Sequence, residues 1–452
     1  RAGTVTCYLG KGNNGADALV AARHLQAWGW QIQLRDAEPE ALASPLSRKN
    51  RATLLAHAVP RRNRCDRPWI QLDGLLGIGA SGPLSPAYQA CTQEMNRHRE
   101  EHGAFTIALD IPTGLDGVSG NAEEGAIIAD LTLTIAYGKP GLLADHAEAQ
   151  VGKLVLIPLP EITAPEAGGD RQADLITADL LRPSHKRRSV SCFKNQAGHA
   201  ALIAGSKAYA GAAILCSEGA LASGAGLVTL YAPDEILPWI APRLSPEIML
   251  HPMPSSTKAL LELPADAIGM GPGLGSRPPS ILVDWLVHEP RSTVIDADGL
   301  NLLARHPESL DAVASAGHRL LTPHPGEFRR LFPDASEQPT RRQRAEYAVG
   351  ACPITLLYKG ARTIIATADQ PLRYNLTGNP GMASGGMGDL LTGICSGLIA
   401  QGYTTYEAAN LGAWLCGQAA DHLIATEAQT HETLRASHLL QALPHAFKEL
   451  AR

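Results

Sequence analysis

A single carboxylate follows a run of glycines in the second half of this 452-residue chain. The stretch "NPGMASGGMGDLLTG", residues 379–393, places Asp389 after Gly385, Gly386 and Gly388 and before an apolar, helix-forming run. Glycines can turn successive N–H groups toward one point, and the start of the next helix adds positive potential. Such a hole binds a phosphoryl group, and an ionised aspartate within it accepts a proton from an attacking hydroxyl. A helix cap is the alternative, but a cap needs no glycine cluster, so we favour phosphoryl chemistry.

Other strand ends in the second half carry residues suited to the same chemistry. "LLYKGARTII" puts Lys359 at a strand end, where a lysine can pair with nucleotide phosphate, although a merely exposed lysine is an alternative. "IDADGLNLL" presents Asp296 and Asp298, which could instead cap the next helix. "LTPHPGEF" fixes His324 between two prolines, and "GMGPGLG", residues 269–275, is a further glycine loop. No Walker-type G-x-x-x-x-G-K-[ST] sequence occurs, which excludes a P-loop enzyme.

The first half has its own glycine loop, "GKGNNGAD", at residues 10–17. It follows a strand pattern and matches G-x-G-x-x-G, which alone is weak support for nucleotide binding. Its paired asparagines supply donors and acceptors, although turn formation also explains them. Two further strand ends carry Asp73 in "LDGLLGIGASGP" and Asp110 with Thr113 in "ALDIPTGLDG". Each aspartate could be a cap, but oxygens from Asn14, Asp73 and Thr113 could together bind a hard cation.

Composition excludes several classes of function. Apolar residues make up 45% and charged residues 18% of the chain, as in a folded globular protein. A net charge of -5 without a broad basic face argues against nucleic-acid binding, and no apolar run is long enough to span a membrane. Eight cysteines without a C-x-x-C pair predict reduced thiols and a cytoplasmic enzyme. The chain opens at Arg1 without Met, so we expect a segment to precede it.

Both halves alternate short apolar strands with helical stretches, which predicts a parallel α/β architecture in two domains. We predict a first domain over residues 1–160, a Pro-, Ala- and charge-rich linker over 161–192, and a second domain over 193–452. Gly393 and Gly397 lie one helical turn apart after Asp389 and predict close packing between helices. The strand candidates are TVTCYLG, QIQLRD, WIQLDGLLG, FTIALDIPTG, LTLTIAYG and KLVLIPL, then HAALIAGS, LVTLYAP, AIGMGPGLG, STVIDADGL, RLLTPHPGE and ITLLYKG.

The motifs "GKGNNGADAL", "LDGLLGIGASG", "ALDIPTGLDG" and "YGKPGLL" resemble, in this order, the NAD(P)H-hydrate epimerase domain, a Rossmann-like fold. The resemblance covers residues 3 to about 158 and lacks the family's leading helical segment. It implies a potassium ion held by Asn14, Asp73 and Thr113, and contact between Asp110 and the substrate. It also implies that the damaged cofactor is surrounded by Asn13, Asn14, Gly15, Ala16, Asp17, Gly77, Ile78, Gly79, Ala80, Ser81, Gly82 and Pro83.

The second half resembles the ribokinase-like superfamily. More narrowly, "GSKAYAGAAILCSEGALASGAGLV", "GMGPGLG", "DADGLNLL", "TPHPGEF", "KGART" and "NPGMASGGMGDLLTG" are similar to ADP-dependent NAD(P)H-hydrate dehydratase, over about residues 180 to 450. The resemblance implies that the hydrate is contacted by Ala225, Gly273, His324 and Asp389, with Asp389 as the catalytic residue. It implies that the adenine nucleotide is held by Lys359, Gly360, Ala361, Arg362, Thr363 and Gly388.

Together the two resemblances imply an α/β protein of two three-layer sandwiches, Rossmann-like at the N-terminus and ribokinase-like at the C-terminus. The first domain would interconvert the (R) and (S) hydrates of NADH and NADPH, with K+ bound. The second would use ADP and Mg2+ to phosphorylate the ring hydroxyl of the (S) form and eliminate phosphate, which yields NADH or NADPH and AMP. We also expect a homo-oligomer.

Three other functions stay open at this point. A ribokinase-type small-molecule kinase shares the glycine hole, but it does not explain the first half. The first domain could be a binding module without activity, because Ala16 and Ala18 stand where the family has glycines. A dehydrogenase is compatible with the first glycine loop, but no second-substrate site is visible for it.

Overall fold

The structure is a computed structural model that describes residues 2–56, 68–80, 82–159, 161–162 and 173–451. The chain divides into two compact units, residues 1–166 and residues 167–452. Within the described part, none of the helices combines the length and the hydropathy that a bilayer crossing requires.

The first unit is built on six parallel strands in the order β2-β1-β3-β4-β5-β6. All six strand candidates of the first half are confirmed. The strands are β1 (Thr4–Leu9), β2 (Gln31–Asp36), β3 (Trp69–Gly74), β4 (Phe105–Leu109), β5 (Leu131–Ile135) and β6 (Lys153–Ile157). The described α-helices are α1 (Asn13–Ala27), α2 (Pro45–Leu55), α3 (Pro86–His102) and α4 (Glu148–Val151).

This sheet has a separate apolar core on each face. Val5, Cys7 and Leu9 of β1 pack with residues of α1 and α2, whereas Tyr8 packs with residues of α3. Successive strand residues point to opposite faces, so the two clusters belong to two layers of helices around one sheet. The three-layer Rossmann-like sandwich that the sequence predicts is confirmed.

A crevice is expected where the strand order reverses, which in this sheet is between β1 and β3. The loops that follow these strands lie against each other, since the amide of Gly10 donates to the carbonyl of Gly74 at 3.0 Å. A side chain at Gly10 would overlap the backbone of Leu75. The first glycine of the loop is therefore required by this close approach.

The second unit contains a ten-stranded sheet in the order β10-β9-β8-β11-β12-β13-β14-β15-β16-β7. Its strands are β7 (Ala173–Ile176), β8 (His199–Ile203), β9 (Leu227–Ala232), β10 (Ile248–Pro252), β11 (Ala267–Met270), β12 (Ser292–Ile295), β13 (Arg319–Leu321), β14 (Thr355–Tyr358), β15 (Thr363–Ala366) and β16 (Leu372–Asn375). Strands from β10 to β14 in this order are parallel, and β15 is antiparallel to both of its neighbours.

The α-helices of this unit surround the sheet. They are α5 (Ala178–Leu181), α6 (Ala210–Ala222), α7 (Leu237–Ile240), α8 (Thr257–Leu261), α9 (Ile281–Leu286), α10 (Ala297–Ala304), α11 (Leu310–Ala316), α12 (Pro325–Leu331), α13 (Pro333–Ser336), α14 (Arg341–Ala351), α15 (Met387–Ala400), α16 (Thr405–Ala425) and α17 (Ala436–Ala451). The helices α6, α15, α16 and α17 supply much of the apolar core.

The six strand candidates of the second half form β8, β9 and β11 to β14. The sequence did not predict β10, the β15–β16 hairpin or β7. Strand β7 lies inside the predicted linker 161–192, and it pairs in parallel with β16 at the edge of the sheet. Residues 173–176 therefore belong to the second sheet, and the prediction that the whole of 161–192 is a linker is wrong for these four residues. Its four residues, "ADLI", are too few to show a strand period within an Ala-rich sequence.

Glycines bring α15 against α6. A side chain at Gly393 would overlap the carbonyl of Cys216, and one at Gly397 would overlap the side chain of Ser223. The close helix packing predicted for this glycine pair is confirmed. It holds α15 beside β8, β11 and β12, so the first turn of that helix has a fixed position.

Candidate active sites

The second unit presents Asp389 in the first turn of α15. The helix begins after Gly386, whose φ of 91° is left-handed, and no side chain caps its first N–H groups. A methyl group at Gly386 would also lie 2.5 Å from Leu215 Cδ1. Asp389 is the third residue of the helix, so the alternative that it is the cap is wrong. Unoccupied N–H groups at a helix start suit an anion.

The Asp389 carboxyl group is tuned to bind a proton near neutral pH. Burial and then the negative charge of Asp296 raise its pKa to about 6, with a further contribution from Asp298, while Lys359 opposes the shift. An acid–base group works best when its pKa lies near the operating pH. Asp389 therefore has the position and the proton affinity of a general base.

Asp296, which follows β12, joins the elements around Asp389. It is 1% exposed, and its Oδ1 accepts a 2.8 Å hydrogen bond from Lys359 Nζ. Its Oδ2 accepts a second 2.8 Å bond from Thr392 Oγ1, on α15. Asp296 lies at the cap position of α10 but makes no capping hydrogen bond, so the capping alternative is wrong for this residue. Its carboxylate instead ties the end of β14 to the start of α15.

Lys359 carries the positive charge of the site. Burial acts to lower its pKa, but Asp296, Glu327 and Asp389 together hold that pKa above its ordinary value. The Oε2 atom of Glu327 lies 3.8 Å from Lys359 Nζ. A Cβ built on Gly388 would be 3.4 Å from both Lys359 Nζ and Asp296 Oδ2. The glycine beside Asp389 thus leaves the lysine within reach of a ligand at the helix start.

His324 caps α12 and shares Glu327 with the lysine. The His324 Nδ1 atom accepts a hydrogen bond from the Gly326 amide at 2.9 Å, which leaves the ring proton on Nε2. Nε2 lies 3.4 Å from Glu327 Oε1, and Glu327 Oε2 accepts from the His324 amide at 2.8 Å. The buried Glu327, which the sequence analysis did not single out, therefore connects His324 with Lys359. The sequence feature that could have identified Glu327 is its place as the third residue of a helix capped by a histidine.

The loop from Lys359 to Thr363 wraps around a buried guanidinium. Arg341 donates to the carbonyls of Tyr358 at 3.1 Å, Lys359 at 3.2 Å and Arg362 at 3.3 Å. A side chain at Gly360 would overlap this guanidinium, which explains the glycine. Gly360 and Ala361 form the exposed tip of the loop, whereas Arg362 is buried and Thr363 is half-buried. Arg341, at the start of α14, was missed because it lies 18 residues before Lys359 in the sequence.

The glycine loop after β11 closes the other side of this site. Gly273 has a φ of 65°, and a methyl group there would lie 2.8 Å from the carbonyl of Tyr209, just before α6. The Gly275 amide donates to Asp298 Oδ2 at 2.8 Å. The loop thus lies at the carboxyl end of β11, beside the point between β8 and β11 where the strand order reverses, which is where ligands bind in sheets of this kind.

Ala225 does not join these residues. It is buried in the loop between the end of α6 and the start of β9, so it lies at the amino-terminal ends of the strands, whereas the site lies at their carboxyl ends. Its neighbour Gly224 approaches Gln401, the residue that ends α15. At about 1.5 Å per residue, Gln401 lies about 18 Å along the helix from Asp389. The prediction that Ala225 contacts the hydrate is corrected on this ground.

The first unit brings Asn14, Asp73 and Thr113 into one hydrogen-bond network. Asp73 is fully buried, and its two carboxylate oxygens accept from Thr113 Oγ1 at 2.7 Å and from the Thr113 amide at 2.8 Å. The Leu76 amide donates to Thr113 Oγ1 at 3.1 Å, and Asn14 Nδ2 donates to the Leu76 carbonyl at 2.8 Å. Burial raises the pKa of Asp73 to about 6, against the hydrogen bonds from Thr113.

The residues of this network carry oxygen ligands that suit a hard cation. Asn14, Asp73 and Thr113 offer an amide oxygen, a carboxylate and a hydroxyl, which are ligand types that such ions take. Within the described ranges, no group of three or more His, Cys, Asp or Glu side chains is arranged to hold a metal ion. A cation here would therefore depend on neutral oxygens as much as on Asp73.

Asp110 lies at the end of β4 and is paired with a lysine that the sequence analysis did not assign. Its Oδ1 accepts from the Ile135 amide at 3.1 Å and forms an ion pair with Lys139. Burial and then the charge of Asp110 raise the pKa of Asp17, which lies on α1. Lys139 lies in the motif "YGKPGLL", and this place in the motif is the sequence feature that could have identified it.

The remaining predicted residues of the first site lie in the loops after β1 and β3. Asn13 is exposed, and a side chain at Gly15 would overlap the carbonyl of Gly10. Gly77 faces Asn14, with 3.6 Å from its built Cβ to Asn14 Cβ. Ser81 lies outside the described residues. The exposed residues of the second loop are Ile78, Gly79, Ala80, Gly82 and Pro83.

Ala16 and Ala18 are not exposed on this loop surface. Both residues are fully buried, and Ala18 belongs to the apolar core between α1 and the sheet. A Cβ built on Gly74 would lie 2.5 Å from the Ala18 methyl, so Gly74 leaves the room that Ala18 fills. These two alanines therefore do not narrow the crevice from its open side.

Comparison with solved structures defines the class of the second unit. An ADP/ATP-dependent NAD(P)H-hydrate dehydratase from Bacillus subtilis, co-crystallised with ATP and Mg2+, is 29% identical with a TM-score of 0.54, and covers 61% of this chain and 98% of its own. A ribokinase-like superfamily protein from Enterococcus faecalis is 26% identical with a TM-score of 0.53, over 63% and 99%. The second unit is a ribokinase-like α/β domain with a glycine-rich segment before α15.

Comparison of sequences gives the family of the whole chain. Residues 200–445 match the NAD(P)H-hydrate dehydratase family, and residues 1–141 match the YjeF-related protein N-terminus. A bifunctional NAD(P)H-hydrate repair enzyme from Moorella thermoacetica is 33% identical over 99% of this chain and 88% of its own length. One from Leishmania braziliensis is 31% identical over 96% and 84%. The chain belongs to the family of bifunctional NAD(P)H-hydrate repair enzymes.

Proposed function

We propose that this chain repairs hydrated nicotinamide dinucleotides at two separate sites. The first domain interconverts (R)- and (S)-NAD(P)HX, and the second converts (S)-NAD(P)HX to NAD(P)H at the expense of ADP, with AMP and phosphate as products. The observation that most supports this proposal is the position of Asp389 in the first turn of α15, directly after the glycine-rich segment. Its pKa is raised to about 6, and Lys359 lies nearby. Membership of the family and the order of its two domains agree with this proposal.

The role of Asp389 is to start the dehydration. Asp389 removes the proton of the ring hydroxyl as that oxygen attacks the terminal phosphoryl group of ADP. The free N–H groups at the start of α15 stabilise the charge on the transferred group, and Lys359 adds a point positive charge. Phosphate is a much better leaving group than hydroxide, so its departure with loss of a neighbouring ring proton restores the reduced nicotinamide. This explains why a lyase uses a kinase-like site.

The other roles in the second site remain predictions. The nucleotide is proposed to bind through Lys359, Gly360, Ala361, Arg362, Thr363 and Gly388, and the closeness of Lys359 Nζ to Gly388 at the helix start supports this. The buried Arg362 serves that loop through its backbone rather than through an exposed side chain. His324 is connected to Lys359 through Glu327, and Gly273 lies against Tyr209 just before α6; both are proposed to contact the hydrate.

Mg2+ is proposed to enter with the nucleotide. The described residues offer no ready-made cluster of metal ligands, and Asp296 is already engaged with Lys359 and Thr392. Mg2+ is commonly held by substrate phosphates, one or two carboxylates and water, which fits this arrangement. When bound, it neutralises charge on the phosphates.

K+ is proposed to bind in the first domain through Asn14, Asp73 and Thr113. Their shared hydrogen-bond network and the burial of Asp73 support this assignment. When bound, the ion supplies positive charge at the switch point between β1 and β3. Asp110 is proposed to contact the hydrate there. The other residues proposed to surround the hydrate are Asn13, Asn14, Gly15, Ala16, Asp17, Gly77, Ile78, Gly79, Ala80, Ser81, Gly82 and Pro83.

Two properties of the whole protein are also proposals. We expect a cytoplasmic location, which the seven unpaired cysteines in the described residues support, since none of them forms a disulfide. We also expect a homo-oligomer, which light scattering of the purified chain would measure directly.

The two activities can be tested together with a mixture of (R) and (S) hydrates. With ADP and Mg2+, the wild-type chain is expected to consume both epimers at rates well above spontaneous exchange, as followed by chromatography. Consumption of the (S) form alone would contradict the epimerase assignment. Accumulation of a phosphorylated hydrate without NADH would favour a kinase instead of a dehydratase.

A further inference from the structure

A buried ion pair lies at the ends of two neighbouring strands of the first unit. The side chains of Lys139 and Asp110 are only 11% and 15% exposed. Lys139 Nζ donates to Asp110 Oδ1, to Thr134 Oγ1 at 3.1 Å and to the Ile135 carbonyl at 2.9 Å. All three protons of the ammonium group therefore have acceptors, which fixes the group firmly.

The backbone on both sides of this pair is strained in the same way. Asp110 after β4 and Ala136 after β5 have positive φ angles of 68° and 63°, which are unusual for residues other than glycine. Each is the central residue of a tight turn, in which the Ile111 amide donates to the Leu109 carbonyl at 2.9 Å and the Tyr137 amide donates to the Ile135 carbonyl at 2.8 Å. Such strain persists only where surrounding contacts hold it, and it concentrates at functional sites.

The arrangement leaves one oxygen of Asp110 for a ligand. Its Oδ1 accepts from both the Ile135 amide and Lys139, whereas no donor in the described part of the chain bonds to Oδ2. The carboxylate lies close enough to Asp17, on α1, to shift the proton affinity of that residue. Asp110 directly follows β4, at the carboxyl end of a parallel strand, which is the side of such sheets where ligands bind, so Oδ2 is the oxygen available to a ligand there.

We propose that Lys139 is a positioning residue for epimer exchange, which holds Asp110 so that Oδ2 faces the ring hydroxyl of the hydrate. This inference rests on the proposed epimerase function of the first domain. Asp110 touches the substrate in this account, and Lys139 acts only through Asp110.

The exchange step balances without any added reactant. Hydration places the hydroxyl on a carbon that is also bonded to the ring nitrogen. Asp110 takes the hydroxyl proton, the carbon–nitrogen bond breaks, and an aldehyde forms. The electron pair goes to the nitrogen, where the ring double bond and carboxamide delocalise it. Attack of the nitrogen on the other face of the aldehyde reforms the bond, and Asp110 returns the proton to the oxygen.

Two substitutions separate positioning by charge from simple packing. Lys139→Met keeps the length and burial of the side chain but removes its charge, whereas Lys139→Arg keeps the charge in a larger group. If Lys139 only filled space, the Met variant would be the more active of the two. Positioning through the ion pair predicts the reverse order.

The test follows epimer exchange in the full-length chain by chromatography of purified (R) hydrate, without ADP. We expect Lys139→Met to lower kcat at least 100-fold while KM changes less than threefold, and Lys139→Arg to keep at least a tenth of the wild-type kcat. Dehydration of the (S) hydrate by the same variant is expected to match wild type, which verifies folding of the second unit. Lys153→Met, at the start of β6, is the matched control in the first domain and should exchange epimers normally.

Four results would each overturn a part of this account. Exchange by Lys139→Met at more than a third of the wild-type kcat would overturn the inference, as would a Met variant more active than the Arg variant. A loss that appears only in KM would also overturn it, since it would indicate substrate binding. Absence of exchange by the wild-type chain would instead refute the proposed epimerase function.

Discussion

At the scale of single residues, the second site is a balance of charges around Asp389. Burial, then the carboxylates of Asp296 and Asp298, raise the pKa of Asp389, and Lys359 opposes them. Both of these carboxylates have partners of their own, because Asp296 binds Lys359 and Thr392 and Asp298 binds the Gly275 amide. Asp389 is thereby left to titrate near neutral pH.

The pH dependence of dehydration should report this titration. The base must be deprotonated, so kcat/KM for the (S) hydrate is expected to fall tenfold per pH unit below about 6 and to level off above it, in line with the pKa of Asp389. Steady-state rates between acidic and neutral pH give the profile. An acidic limb at the ordinary aspartate range, about two units lower, would contradict this reading of the site.

Replacement of Asp296 should affect both the rate and the pH profile. Asp296→Asn removes a negative charge beside Asp389 and the charged partner of Lys359, so we expect the acidic limb to move to lower pH. A lost hydrogen bond to a charged group costs about 1.5–3 kcal/mol, so the rate above the limb should fall by about 10- to 100-fold.

Thr392→Val is the control for the Asp296 experiment, because it removes the hydrogen bond to Asp296 Oδ2 and leaves all charges in place. Its acidic limb should stay where it is in the wild-type chain. If both variants shift the limb equally, loss of structure rather than of charge is responsible.

The residues that could be predicted from the sequence are those whose signal is local. Asp389 stands out because its glycines are its immediate neighbours. The partnership of Asp296 and Lys359 joins residues 63 positions apart, and it exists only because β12 and β14 lie in the same sheet. The prediction for Ala225 was wrong because the motif that contains it spans the whole of α6, and the sequence does not show which end of that helix faces the ligand.

At the scale of elements, the start of α15 depends on one backbone angle. Gly386 adopts a φ of 91°, and a methyl group there would lie 2.5 Å from Leu215 Cδ1. The neighbouring Gly385 has open space around its built Cβ. These two glycines therefore offer a matched pair for the same substitution.

Gly386→Ala should destabilise the second domain, whereas Gly385→Ala should not. A left-handed angle costs an alanine about 1–2 kcal/mol, which corresponds to a fall in the unfolding midpoint of about 2–8 °C for a domain of this size. Calorimetry of the full-length variants measures this difference. Equal midpoints for the two variants would show that the strain is relieved by movement of the helix start.

Elements with strong patterns were predictable, and short edge elements were not. The twelve predicted strands form because each is an apolar run bounded by glycine, proline or a charge. Strand β7 has four residues and lies in a segment rich in alanine and charge, so its pairing with β16 is a property of the folded sheet. The same holds for β15 and β16, whose antiparallel pairing interrupts the alternation with helices.

At the scale of the whole molecule, one chain combines two sites that handle the same damaged cofactor. An enzyme specific for the (S) hydrate alone would leave the (R) form to slow spontaneous exchange. Fusion of the two domains gives equal amounts of both activities. It also allows each site to serve as the internal control for substitutions in the other.

The central claim is that Asp389 starts a nucleotide-dependent dehydration, and recovery of the NADH absorbance from hydrated NADH tests it most directly. The wild-type chain should restore NADH only when ADP and Mg2+ are both present. Asp389→Asn should lower this rate at least about 100-fold, the lower range for loss of a general base, and should still exchange the epimers. Recovery by Asp389→Asn at the wild-type rate, or recovery by the wild-type chain without any nucleotide, would contradict the account.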